Sequence, residues 1–189
     1  MTLFGKPTLP ETAFTGKIFC IGLSGTGTRS FNYAMRLLGF KACHYPQNLN
    51  EFERHQVLAD IPVACRYRDL DILFPGSKFV LTTREKQSWL ANRSRKPADR
   101  NQPNLWELET RLRTYGRLHY DHSHYVKLYD EFHDGVDKFF AGREQDLLKI
   151  EIISGQGWEQ LCPFVGITDI PTRPFPVVKG PVPFFGPRP

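Results

Sequence analysis

Short solid apolar blocks along this chain alternate with longer stretches whose apolar positions recur at helical spacing. Lys17–Leu23 is the first block and reads as a strand over 17–23. Phe31, Ala34, Met35 and Leu38 then sit at i, i+3, i+4 and i+7, which predicts one face of a helix over 28–39 closed by Gly39. A short strand over Phe40–His44, a turn at Pro46 and a short helix over Phe52–Leu58 follow, and Asp60-Ile61-Pro62-Val63 reads as a loop. Leu70, Ile72, Leu73 and Phe74 end a short helix stopped by Pro75-Gly76. Lys78–Thr83 is the second strong strand, ending at Arg84, and the next helix turns Trp89 and Leu90 inward. Residues 93–104 are polar and basic and contain Pro97 and Pro103, the mark of an exposed loop. Helices follow over 105–117 and 123–141. The second carries a stripe of Tyr125, Leu128, Tyr129, Phe132, Val136, Phe139 and Phe140, read as core. Leu147–Ile153 is the last strand, and Gly157–Val165 is a short helix burying Trp158, Leu161 and Cys162. From 163 onward the chain holds eight of its fifteen prolines, so it either wraps the body in extended form or stays loose.

Strands separated by helices predict an α/β architecture: a parallel sheet with right-handed crossovers, flanked by helices in three layers. The expected organisation is an irregular lead-in over 1–16, one domain over 17–166 and a Pro-rich tail over 167–189. Ligands of such sheets gather at the C-terminal ends of the strands. Two anion-binding features fall there. One is Ile21-Gly22-Leu23-Ser24-Gly25-Thr26-Gly27-Thr28-Arg29-Ser30, a Gly-rich turn between strand and helix with the GxxxxG spacing of a P-loop. Its backbone N–H groups and the helix N-terminus suit a phosphate. The other is Arg84. The lysine that follows the second glycine in an ATPase loop is absent, since Thr28 and Arg29 stand there, which argues against a nucleoside triphosphatase.

Charge and cysteine content narrow this picture only a little. A net charge of +5 and a pI near 9.1 suit an anionic ligand, with Arg93, Arg95, Lys96 and Arg100 crowded into one stretch. That stretch lacks the interleaved aromatics of a nucleic-acid platform, so no nucleic-acid partner is expected. Cys20, Cys43, Cys65 and Cys162 show no CxxC pair, and Cys20 lies inside a strand as a buried thiol; a reduced, cytoplasmic setting is expected. No apolar run approaches the roughly 20 residues of a membrane span, so no membrane partner is expected. His119, Asp121, His122 and His124 match no standard metal spacing, and no metal is expected.

Four segments together resemble the sulfotransferase superfamily, most of all its compact bacterial-type branch. They are the loop Ile21–Ser30; Phe74-Pro75-Gly76-Ser77-Lys78-Phe79-Val80-Leu81-Thr82-Thr83-Arg84; Glu85–Trp89; and Gly157-Trp158-Glu159-Gln160-Leu161-Cys162-Pro163-Phe164-Val165-Gly166, with Phe175-Pro176 beyond. The resemblance spans about residues 17–176 and implies a P-loop fold. It also implies transfer of a sulfuryl group from 3′-phosphoadenosine 5′-phosphosulfate to a hydroxyl or amine of a small-molecule or carbohydrate acceptor, without a metal.

On this resemblance Ser24, Gly25, Thr26, Gly27, Thr28, Arg29 and Ser30 hold the 5′-phosphosulfate, and Arg84 holds the 3′-phosphate. Asn92 stands where the family often has a serine. The family's loop lysine falls at Gly25 here, which makes Arg29 or Lys179 a substitute cation. The family's acceptor-activating base is a carboxylate or histidine, which points to Asp60 or His44. The missing lysine keeps open a non-catalytic nucleotide-binding descendant, and the P-loop plan keeps open a small-molecule kinase. The acceptor and the oligomeric state are not legible in the chain.

Overall fold

The computed structural model describes residues 9–95 and 103–178. The chain runs through β1 (Ile18–Cys20), α1 (Thr28–Leu37), β2 (Ala42–His44), α2 (Asn50–Arg54), β3 (Val57–Ala59), α3 (Ile61–Ala64), α4 (Tyr67–Leu73) and β4 (Lys78–Thr82). It continues through α5 (Lys86–Ser94), α6 (Leu105–Tyr115), α7 (His122–Phe140), β5 (Leu147–Ile150) and α8 (Trp158–Phe164). Among the described residues the five strands form one sheet in the order β2-β3-β1-β4-β5, every pairing parallel.

The three inner strands β1, β3 and β4 are buried on both faces, which is why β1 and β4 read as solid apolar blocks. Ile18 and Cys20 face α1 and α8 in one core with Phe31, Met35, Leu161 and Cys162. Phe19 and Ile21 face the opposite layer, where Val63, Tyr67, Leu70, Val136 and Phe140 pack. The result is the three-layer α/β arrangement expected. A third cluster, of Leu23, Ile61, Trp89, Leu90, Tyr115 and Tyr125, lies beyond the strand ends.

Several local expectations are corrected. Val57-Leu58-Ala59 is a central strand between β1 and β2, and the preceding helix stops at Arg54. A three-residue strand buried on both faces has no period, so it could not be told from the end of a helix. Residues 61–64 form a helical turn where a loop was expected: the Asp60 side chain accepts the Ile61 amide as its cap, and Pro62 takes an early helical position that needs no amide. Arg93 and Ser94 belong to α5, and the chain after β5 turns into a 3₁₀ segment at Ile152–Ser154. The described part of the tail wraps the body. Phe175 packs edge-on against Trp158 with ring centres 4.7 Å apart, Trp158 Nε1 donates to the Arg173 carbonyl, and the Val178 amide donates to Ser30 Oγ. Lys179, Lys96 and Arg100 lie outside the described residues.

Candidate functional site

β1 sits where the connections part: the chain leaves it for β2 on one side, while β4 and β5 lie on the other. The crevice at such a point is the natural ligand site of an open parallel sheet. Residues 22–27 fill it. Gly22 is required by close approach, since a Cβ there would lie 1.8 Å from Thr82 Oγ1 and 2.7 Å from the Thr82 carbonyl. Thr26 is spent on the loop itself: its hydroxyl lies 2.7 Å from both the Leu23 carbonyl and Thr82 Oγ1, and its amide donates to the Leu23 carbonyl.

The other loop carbonyls are held from outside. Trp89 Nε1 donates to the Ser24 carbonyl at 3.1 Å, and Arg84 Nη1 to the Gly25 carbonyl at 3.1 Å. Arg84 Nε is fixed in turn by Ser88 Oγ, and the Tyr129 hydroxyl donates to the Arg84 carbonyl. Beyond the loop, Gly27 caps α1 in the left-handed region (φ 109°) without a side-chain cap, and the first turn carries no acid. The leading amides of α1 have no carbonyl one turn back, and the helix dipole adds to their positive character. Thr28 and Ser30 are buried beside them, while Arg29 is exposed.

The third wall is Asp60. It stands just past β3 with φ 85°, a conformation costing of order 1–3 kcal/mol for a residue other than glycine, held only where the surroundings enforce it. Ser24 Oγ donates to Asp60 Oδ1 at 2.9 Å, and the Ile61 amide donates to the same oxygen. Asp60 Oδ2 lies 3.2 Å from His44 Nε2, which is also 3.3 Å from Thr28 Oγ1. Burial works to raise this carboxyl, but the hydrogen bond and charge of His44, then the Ile61 amide and Ser24, outweigh it and leave it below its ordinary value. Asp60, His44 and the loop residues Ser24 and Thr28, from three separate parts of the chain, thus meet at one point.

Asn92 lies over the loop. A Cβ on Gly25, whose φ is 93°, would come 2.6 Å from Asn92 Oδ1, an atom that is buried without a hydrogen-bond partner. A cavity of about 400 Å³ opens beside the loop between Ser24, Ile61, Arg93 and a group of tyrosines. Tyr115 and Tyr125 stack there at 5.4 Å and 17°, and Arg93 lies 5.3 Å over the Tyr115 ring. Burial pushes the Tyr115 hydroxyl up to about 12. These residues come from α5, α6 and α7, and no spacing in the chain announces them as neighbours. Asp121 and His124, part of the histidine-rich stretch, serve the helices: Asp121 caps α7 through the His124 amide, and His124 Nε2 lies 2.6 Å from the Tyr115 carbonyl. Among the described residues no cluster of three metal-ligating side chains occurs, and no helix is long and apolar enough to cross a membrane.

Residues 50–181 match the family model of the sulfotransferase domain. No curated protein matches the chain.

Proposed function

The chain belongs to the sulfotransferase family, and from that premise we propose that it binds 3′-phosphoadenosine 5′-phosphosulfate and transfers its sulfuryl group to an acceptor hydroxyl or amine. The carrying observation is the Gly22–Thr28 loop. Its carbonyls are tied back by Trp89, Arg84 and Thr26, which leaves an uncapped helix N-terminus facing the crevice beside Arg84. The chain's own groups suit the donor's two anionic positions. The amides of α1 with Thr28, Ser30 and Arg29 would hold the 5′ end, and Arg84, whose fork of donors matches a phosphate, would hold the 3′-phosphate. Asn92 lies over the same loop, and only its amide nitrogen, not the buried Oδ1, can donate to an anion there. The nucleotide supplies a sulfuryl group on a phosphate leaving group. Positioning and charge stabilisation are the protein's share.

His44 is the better-placed proton acceptor of the notable pair. Asp60 accepts hydrogen bonds from Ser24 and Ile61 and is held below its ordinary value, which makes it a weak base and a good positioning residue for the imidazole. Arg29 is the loop's own cation in the absence of a lysine. Calorimetry with adenosine 3′,5′-bisphosphate tests the binding half: saturable binding without magnesium supports it, and binding of ATP–magnesium in its place refutes it. Transfer of labelled sulfate to an acceptor panel tests turnover.

One observation favours a second reading, a nucleotide-binding protein without turnover. Gly25 is left-handed with Asn92 against it, so this loop is shaped for glycine at the position of the family's lysine. Detectable wild-type transfer eliminates that reading.

A further inference from the structure

We infer that the cavity beside the loop is an acceptor site for a small ring compound bearing both a hydroxyl and a carboxylate; the acceptor role rests on the transferase reading above, the ligand class does not. The cavity begins at Ser24, the residue that joins the loop to Asp60, so a ligand in it lies next to the candidate transfer point. Its volume of about 400 Å³ suits one or two rings. Its wall is a packed aromatic group: Tyr125 stacks on Tyr115, and Tyr120 lies tilted at 56° against Tyr125 with ring centres 4.8 Å apart. Trp89 backs Tyr125 from beneath, at 5.7 Å and 24°. Tyr115 and Tyr125 are buried behind the wall, and the half-buried Tyr45 and Tyr120 that also line the cavity are the rings with surface left for a planar or sugar ring, braced so that little new ordering is needed.

The charge on the wall selects the second feature. Among the described residues, Arg93 and Arg111 line the cavity together with one carboxylate, Glu107. Among the described residues, Arg93 Nε and the Tyr115 hydroxyl are buried without a hydrogen bond of good geometry, an arrangement native proteins seldom leave unfilled. Both are donors. Guanidinium and phenol together match a carboxylate, which accepts from each. The Tyr115 hydroxyl, pushed by burial still further above its ordinary value, stays protonated and available as a donor. Glu107, as an acceptor, suits the ligand's hydroxyl at another point of the ring. Two sources share this chemistry, a hydroxylated aromatic acid and a uronic acid.

The test compares acids with neutral twins by calorimetry on the full chain, both free and saturated with adenosine 3′,5′-bisphosphate. The pairs are 4-hydroxybenzoate against 4-hydroxybenzamide, and glucuronate against glucose. The proposal expects one acid to bind at least about tenfold tighter than its twin, the scale of one charge-assisted hydrogen bond. The pair that shows the preference identifies the source. Arg93→Gln should erase the preference and Arg93→Lys restore part of it, while Tyr115→Phe should reduce it. Equal binding of acid and twin in both pairs, with or without the bisphosphate, overturns the proposal. Because the pairs are also titrated on the free protein, failure of the bisphosphate to bind removes the transferase reading alone. An acid preference that survives unchanged in Arg93→Gln overturns the assignment of the site.

Discussion

Arg84 Nη1 donates to the Gly25 carbonyl at 3.1 Å, so the cation at the end of β4 and the glycine loop after β1 act as one unit. Arg84 holds the loop's shape, and on the proposed function it also meets the donor's 3′-phosphate. Arg84→Ala should weaken adenosine 3′,5′-bisphosphate binding by about 10- to 100-fold, the worth of a hydrogen bond to a charged group. Arg84→Lys should recover only part, because an ammonium cannot serve Ser88, Gly25 and a phosphate through one planar fork. Calorimetry on the three proteins measures this directly. Unchanged affinity in Arg84→Ala would remove Arg84 from the site.

Two of the loop glycines, Gly22 and Gly25, should fail differently. Gly22→Ala forces a Cβ against Thr82 Oγ1 and the Thr82 carbonyl, and backbone cannot step aside. It should cost about 3 kcal/mol, the upper range for overpacking, and Gly22→Ala with Thr82→Ala should regain only part. Gly25→Lys meets only the end of the Asn92 side chain but must adopt φ 93°. It should lose about 1–2 kcal/mol from backbone strain and gain no transfer activity, with Asn92→Ala relieving the crowding alone. Urea unfolding of each variant gives the energies.

The loop and its helix were legible because chemistry and pattern coincide there: a strand, glycines at set spacing, and apolar residues at helical period. Arg84 was legible as the polar residue ending a strong strand. Val57–Ala59 was not, since burial on both faces erases the alternation that marks a strand. The cap that makes a helix of Ile61–Ala64 depends on Asp60 adopting φ 85°, which its contacts with Ser24 and His44 support, and those partners lie far off in sequence. The tyrosine cavity was illegible for the same reason. Tyr125 reads as helix core by period and is core, yet the face it shares with Tyr115 and Arg93 exists only once α5, α6 and α7 pack.

Asp60 should make stability depend on acid. Its carboxyl lies below its ordinary value when folded, whereas unfolded it titrates near the usual value of about 3.9. As pH falls, the unfolded chain takes up the proton first. The contribution is thus fully present above the unfolded value and is lost progressively across the acid range below it, as pH drops toward the folded one. Asp60→Asn should cost about 2–4 kcal/mol at pH 7, by weakening a buried charge-assisted set, and noticeably less near pH 3. Urea midpoints across that range should show a shallower acid slope in the variant; parallel slopes would mean the carboxyl does not titrate below its usual range.

Trp89 should couple stability to nucleotide affinity. It is fully buried, stacks on Tyr125, and its Nε1 is the donor that turns the Ser24 carbonyl away from the crevice. Trp89→Phe keeps a ring in place but removes that N–H. The Ser24 carbonyl then loses its donor while staying half-covered, a cost of about 1–2 kcal/mol on top of the lost ring area. A freed carbonyl can rotate inward and oppose an anion at the loop, so bisphosphate affinity should fall several-fold as well. Tyr125→Leu supplies the comparison: it disturbs the same stack without touching the loop carbonyl, and should lower the melting temperature while leaving bisphosphate affinity within about twofold. Equal affinity losses in the two variants would show that Trp89 acts through packing alone.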